Sequence, residues 1–260
     1  MSDEPRPHRS VRRALVTGGS RGIGRAVVER LAADGLSVVA VGRDRDALAG
    51  VAASAVEHGW LVETERCDVT DEAAVAALVE RVGPIDVLVP NAGVSTSAPV
   101  HRTTLDDWNG HLLVNATGVF LTVRAALPTM RDRGDGRIIV VASTAALRGA
   151  RYTAAYAASK HAALGFIRSV AAEVAGTGIT ANAVCPGYVE SAMTDRSIAN
   201  IVEHTGRDEQ EARALLEQQQ PLGRLVAPDE VAAAVAFLAS TAAAPVNGQA
   251  LVLDGGGIQH

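Results

Sequence analysis

The 260-residue sequence predicts a doubly wound α/β fold: a seven-stranded parallel sheet with helices on both faces. Three observations carry this expectation. Short apolar runs alternate with longer alanine-rich helical stretches between residues 13 and 253. Several runs are continuous Val/Ile/Leu without polar alternation, as strands covered on both faces require. A glycine-rich turn follows the first run, at the strand-to-helix junction where such folds receive anionic ligands. Right-handed crossovers then leave few other ways to wind the chain.

Taken in order, the expected strands are Ala14–Thr17, Ser37–Val41, Leu61–Arg66, Ile85–Pro90, Arg137–Ser143, Ile179–Val184 and Ala250–Leu253. The helical stretches fall at about 22–34, 44–58, 71–82, 105–132, 152–176 and 228–240. Residues 1–11 read as a flexible polar tail and 12–260 as a single domain. The connection from Pro186 to Pro221 is long for a compact domain, and its polar helical piece, Arg207–Gln220, marks a lid over about 188–221. Trp108, near the start of the fourth helix, is assigned to the core. The alanine-rich face Ala232–Leu238 is too.

Composition removes several function classes. A net charge of −5 and only 3% aromatic residues argue against nucleic-acid binding. No segment reads as a membrane span, and Arg12-Arg13 is followed by no apolar leader. Cys67 and Cys185 stand far apart without a CxxC pair, which argues against a disulfide framework and fits a reducing cytoplasm. None of the seven histidines has metal-ligand spacing, so no metal site is expected, and His161 is read as a packing or solvent-facing residue. The basic residues are skewed: 23 arginines and one lysine, Lys160. Where a chain uses arginine nearly everywhere, a lone lysine is a candidate for a site that needs a compact ammonium.

The first turn reads Thr17-Gly18-Gly19-Ser20-Arg21-Gly22-Ile23-Gly24. Its spacing is TGxxxGxG, not the general GxGxxG, but glycines before a helix N-terminus allow a pyrophosphate close to free N–H groups. Gly42-Arg43-Asp44 follows the second strand, where an acid holds the ribose of NAD and an arginine accommodates the extra phosphate of NADP. Arg43, with Arg21 projecting from the glycine turn, favours NADP(H) over NAD(H). Asp44 either opposes that or caps the next helix.

Ser143 closes the fifth strand, and Tyr156-Ala157-Ala158-Ser159-Lys160 follows. Tyrosine and lysine four positions apart share a helix face. A phenol titrating near 10 transfers protons poorly at neutral pH. An ammonium at ~4 Å with effective dielectric ~20 stabilises its phenolate by ~4 kcal/mol, about three pKa units. The serine hydroxyl suits an oxygen whose charge changes.

With these residues the chain, over about residues 12–257, resembles the short-chain dehydrogenase/reductase family in its single-domain Rossmann form. The resemblance is carried by Thr17–Gly24, Asp68-Val69, Asn91-Ala92-Gly93, Asn115, Ser143, Tyr156, Lys160 and Pro186-Gly187. It implies a general acid/base role for Tyr156, carbonyl orientation by Ser143, ribose binding by Lys160 and a proton-relay water at Asn115. Gly18, Ser20, Arg21, Gly22, Ile23, Gly24, Arg43, Asp68, Val69, Asn91, Ala92 and Gly93 would bind the cofactor, together with Tyr156 and Lys160. Pro186, Gly187, Val189 and Ser191 would reach its nicotinamide end. Pro90 and Ser191 stand where the family often has asparagine and threonine.

The segment Ser143–Met193 is especially similar to actinobacterial ketoreductases of β-ketoacyl and polyketide substrates. Thr177 replaces a basic residue common in carrier-docking members, which points to a free ketone or CoA thioester. Tyr152, Tyr188 and Met193, with Ser143, are the substrate-pocket candidates, and Val94–Ser97 is a further, unranked one. The expected partner is a small ketone or alcohol. Small residues along Val114–Ala126 and Ala157–Val170 suit subunit packing, and the family implies a homotetramer or homodimer. The expected reaction is hydride exchange between NADP(H) and a ketone/secondary-alcohol pair. An NAD-dependent 3-hydroxyacyl-CoA or secondary-alcohol dehydrogenase is the alternative. A non-catalytic dinucleotide sensor fits poorly with an intact Ser143, Tyr156 and Lys160. Enoyl reductases of the superfamily place six residues, not three, between tyrosine and lysine, and its sugar epimerases carry a larger substrate domain.

Overall fold

The computed structural model describes residues 11–259; the expected tail, apart from Val11, lies outside them. Seven strands form one parallel sheet: β1 (Arg13–Thr17), β2 (Ser37–Gly42), β3 (Val62–Arg66), β4 (Val87–Val89), β5 (Gly136–Val141), β6 (Ile179–Pro186) and β7 (Ala250–Leu253). Their spatial order is β3-β2-β1-β4-β5-β6-β7. The order reverses between β1 and β4, which opens a crevice at their carboxyl ends.

Alternation along each strand splits the core into two layers. Leu15, Val39, Val41, Leu88, Ile138 and Val140 face one side of the sheet; Ala14, Val16, Val38, Ala40, Val87, Val89, Ile139 and Val141 face the other. The first layer is covered by α3 (Glu72–Val82), α5 (Gly118–Arg133) and α6 (Ala154–Glu173). The second is covered by α1 (Gly22–Ala33), α2 (Arg45–His58) and α9 (Pro228–Ala239). Both layers being apolar explains why the strands lack polar alternation. The face Ala232–Leu238 is core as expected, through Ala232, Val235, Ala236 and Leu238.

The fourth helical stretch departs from expectation. It comprises α4 (Leu105–Leu112), a π-turn at Leu113–Thr117, and then α5. Trp108 is 39% exposed, not core, because α4 buries only His111. The run Leu105–Arg133 also has the length and apolarity of a membrane span, contrary to the sequence reading. Its charged residues are Asp106, Asp107, Arg124, Arg131, Asp132 and Arg133, which leave Trp108–Val123 without Asp, Glu, Lys or Arg, and Val119, Leu121, Val123, Ala126 and Met130 pack that apolarity into the core.

The lid holds two helices where one was expected: α7 (Ala192–Thr205) and α8 (Glu209–Gln218). The sequence reading missed α7 because only Thr194 and Ile198 of it are buried, too few for a visible periodic stripe. Ile198, Ala212, Leu216 and Leu225 give the lid a small core of its own, with Tyr188, Ile201 and Val202 packed against it.

Candidate active site

The glycine turn forms because β1 must reverse into α1 under the ends of β2 and β4. Gly18 has φ +65°, and a Cβ at Gly24 would overlap the Gly18 carbonyl, so only glycine allows the turn and helix to approach this closely. Asn91, just beyond β4, locks the arrangement: its Nδ2 donates to the carbonyls of Thr17 (2.9 Å) and Gly18 (3.1 Å). Thr17 Oγ1 accepts from the N–H groups of Asn91 (3.0 Å) and Ala92 (3.2 Å). No side chain caps the start of α1, whose N–H groups remain available to an anion.

Beside this cradle lies one cavity of about 1110 Å³. It is lined by every residue assigned above to cofactor or substrate and by Ser143, Tyr156 and Lys160; Asn115 sits behind its wall. Val94, Ser95 and Ser97 line it too. At the β2 end, Asp44 caps α2, its Oδ1 accepting from the N–H groups of Asp46 and Ala47 (both 3.1 Å). Arg43 lies 3.4 Å from Asp68. Burial alone would raise the Asp68 carboxyl, but the Thr70 N–H and hydroxyl and the Arg43 guanidinium hold it below its ordinary value.

Tyr156 and Lys160 project from α6 toward Ser143. The Ser143 Oγ accepts from Ala145 N–H (3.1 Å) in the short turn after β5. The Lys160 ammonium is buried and donates to the Val141 carbonyl (2.9 Å). Its desolvation lowers its pKa to about 8, which the neighbouring Cys185 thiol partly opposes. Cys185 is itself pushed up to about 11 by burial, and both cysteines are free. Burial also raises the Tyr156 phenol; a Ser143 hydrogen bond works against that, while Tyr188 and Cys185 add to it. The net direction is therefore opposite to the lowering expected from Lys160. The ammonium lies 5.9 Å from the Tyr156 ring centre and is engaged by the Val141 carbonyl.

Asn115 occupies the π-turn, fully buried. Its Oδ1 accepts from Val94 N–H (2.8 Å), and its Nδ2 donates to Val94 O and Ser159 Oγ (both 2.9 Å). Ser159 in turn donates to the Tyr156 carbonyl (2.7 Å). The side chain thus ties the loop after β4 to the helix that carries Tyr156 and Lys160.

Three groups near the site were not legible in the sequence. His111 is buried edge-on to Tyr156, ring centres 6.3 Å apart. Its Nε2 accepts from Thr96 N–H (3.0 Å) while Nδ1 meets the Asp107 carbonyl (2.7 Å), which assigns the proton to Nδ1. Gln220 is buried at the end of the lid: its Oε1 accepts from Tyr188 N–H (3.1 Å), and its Nε2 donates to the carbonyls of Tyr188 (3.1 Å) and Arg224 (2.9 Å). Asn200 of α7 donates to Ser97 Oγ (2.8 Å) across the cavity. Only the fold brings these partners together; no local motif announces them. Ser191, expected at the nicotinamide end, lines the cavity and caps α7, its Oγ accepting from Thr194 N–H (3.4 Å). His161 is exposed, with Nδ1 against the Ala157 carbonyl (2.9 Å).

Residues 12–201 match the short chain dehydrogenase family. The chain belongs to it. A Streptomyces coelicolor protein named "Putative ketoacyl reductase" is 40% identical over 253 residues, covering 94% of this chain and 95% of its own length. The D-beta-hydroxybutyrate dehydrogenase of Cupriavidus necator is 37% identical, with 94% and 96% covered. The crystal structure of an actinorhodin polyketide ketoreductase variant with NADPH superimposes with a TM-score of 0.90 at 39% identity, covering 95% of this chain and 97% of that one. The seven-stranded parallel sheet is the architecture of these structures, and the chain is an oxidoreductase acting on CH–OH groups with a nicotinamide dinucleotide.

Proposed function

We propose that the chain is an NADPH-dependent ketone reductase, acting on a β-ketoacyl thioester, polyketide-like or aryl ketone. The observation that carries this reading is the convergence of Ser143, Tyr156 and Lys160 on the cavity that also opens onto the glycine turn. The residues present fit a dinucleotide: an uncapped helix start, a turn that tolerates only glycine, and a cavity running past them. Gly18–Gly24, Asp68, Val69 and Asn91–Gly93 would hold its adenine half, and Lys160, Pro186–Val189 and Ser191 its nicotinamide half. When bound, that group supplies or accepts the hydride. Tyr156 delivers the proton to the carbonyl oxygen in reduction, and its raised phenol stays protonated at neutral pH for that purpose. Ser143 donates a hydrogen bond to the same oxygen. Asn115 is a positioning residue, fixing the α6 backbone through Ser159.

The NADPH preference is supported by the engagement of Asp44 at the α2 cap, which leaves Arg21 and Arg43 as the cations facing the β2 end of the cavity. Arg43→Ala is expected to raise KM for NADPH about tenfold and leave KM for NADH within twofold, read from initial rates with each cofactor. A preference of the unaltered chain for NADH would overturn this. The similarity to a D-beta-hydroxybutyrate dehydrogenase favours a second reading, NAD-linked alcohol oxidation. A panel of β-ketoacyl thioesters, aryl ketones and cyclic ketones with NADPH, run beside secondary alcohols with NAD, separates them: faster alcohol oxidation would reverse the assignment. Leu113 and Phe120 are exposed along the long helix, and Phe166 of α6 packs edge-on to Phe120, which supports a homodimer or homotetramer built on this face. Free Cys67 and Cys185 support a cytoplasmic setting.

A further inference from the structure

Beyond Ser143 and Tyr156, three elements wall the cavity: the loop after β4, the loop between β5 and α6, and the lid. The charged side chains they contribute are Arg148, Arg151 and Arg196. All three are exposed, and none has a carboxylate within ion-pair distance among the described residues. Several surface arginines outside the cavity are neutralised, for example Arg81 by Glu65 (2.8 Å), Arg124 by Glu72 and Arg224 by Glu230 (2.7 Å). The carboxylates that do line the cavity are Asp44, Asp68 and Asp254. Asp44 is used by the α2 cap, Asp68 by Thr70 and Arg43, and Asp254 by the N–H groups of Gly256 and Gly257 (both 3.0 Å).

The loop bearing two of these arginines is held in place. Tyr152 has φ +67°, a conformation seldom adopted by a residue with a bulky side chain, and its carbonyl accepts from Ala98 N–H (2.8 Å). The Arg151 guanidinium lies 5.8 Å from the Tyr152 ring centre. The Arg148 charge reaches the Tyr188 phenol, which borders Tyr156. Three permanent cations on a concave wall with no counter-charge make a field that favours an anion, and guanidinium groups suit carboxylate and phosphate oxygens.

We propose that the substrate carries an anionic group, a carboxylate or a phosphate, which Arg148, Arg151 and Arg196 hold while its ketone sits at Ser143 and Tyr156. This rests on the reductase reading above and names the substrate class for it. The test compares three β-keto substrates: acetoacetate, acetoacetyl-CoA and the neutral ethyl acetoacetate. At low ionic strength the unaltered chain should show kcat/KM at least tenfold higher for one anionic substrate than for the ester. In the R148Q/R151Q/R196Q variant that ratio should fall at least tenfold, with a folded state verified by thermal unfolding. A loss confined to acetoacetate assigns the group as a carboxylate, and one confined to acetoacetyl-CoA assigns phosphate. An ester reduced as well as both anions, or a ratio unchanged in the variant, overturns the proposal and leaves the reductase reading standing. A rise in KM for NADPH with an unchanged ratio overturns it too, by giving the arginines to the cofactor. If none of the three is reduced while an aryl or cyclic ketone of the panel above is, the proposal falls and the reductase reading stands; if that panel is inert too, both fall.

Discussion

Tyr156→Phe should lower kcat for ketone reduction by about 10³-fold, within the range that positioned proton donors contribute, while the Kd for NADPH changes less than twofold. The phenol is the hydroxyl that α6 aims into the cavity beside Ser143, and phenylalanine keeps its ring packed against His111. Cofactor binding depends on the glycine turn and on Asn91, which the substitution does not touch. Fluorescence titration with NADPH and single-turnover rates read the two effects separately. A variant that turns over at the original rate would remove Tyr156 from the chemistry.

Lys160→Arg should cost about 10²-fold in kcat/KM even though the formal charge is kept. The ammonium is buried and makes a point contact with the Val141 carbonyl (2.9 Å). A planar guanidinium is larger and cannot occupy that position without moving β5 or Asn115, whose Oδ1 lies against Gly93 on the same side. The pH profile gives a readout that simple disruption does not. Lys160 titrates at about 8, lowered by desolvation, so its charge is present below that pH and lost above it. Reduction should therefore decline as pH rises through about 8 in the unaltered chain. The residual activity of the arginine variant should lack that limb, because guanidinium does not deprotonate there. An identical alkaline limb in both proteins would assign it to another group.

Tyr156 and Lys160 divide what a sequence encodes locally from what the fold adds. Their pairing was legible because a four-residue spacing on a helix is a local property. Their electrostatic relation was not. The sequence reading let the ammonium lower the phenol, whereas in the fold Val141 holds the ammonium and burial raises the phenol. Desolvation depends on what surrounds a group in three dimensions, and no spacing encodes it. The same limit applies to His111, Gln220 and Asn200. Each acts through a partner 15 to 103 residues distant, Thr96, Tyr188 or Ser97. Asp44 shows the reverse case, since its cap of α2 is a local property and the structure displays it.

What the sequence determined by itself follows from periodicity and from turn chemistry. Unbroken Val/Ile/Leu runs required strands buried on both faces, and the two apolar layers supply that burial. The TGxxxGxG turn required a close approach between strand and helix, which the Gly18 and Gly24 positions display. The lone lysine marked its own site. Tertiary structure decided what depends on long-range placement: the crevice between β1 and β4, the two-helix lid, and which arginines lack a counter-charge. Charge composition counts 24 basic and 29 acidic residues and hides the arrangement. Only the folded surface shows which arginines are neutralised locally and that Arg148, Arg151 and Arg196 face the cavity without a carboxylate among the described residues, because ion pairing requires contact and contact is set by the fold.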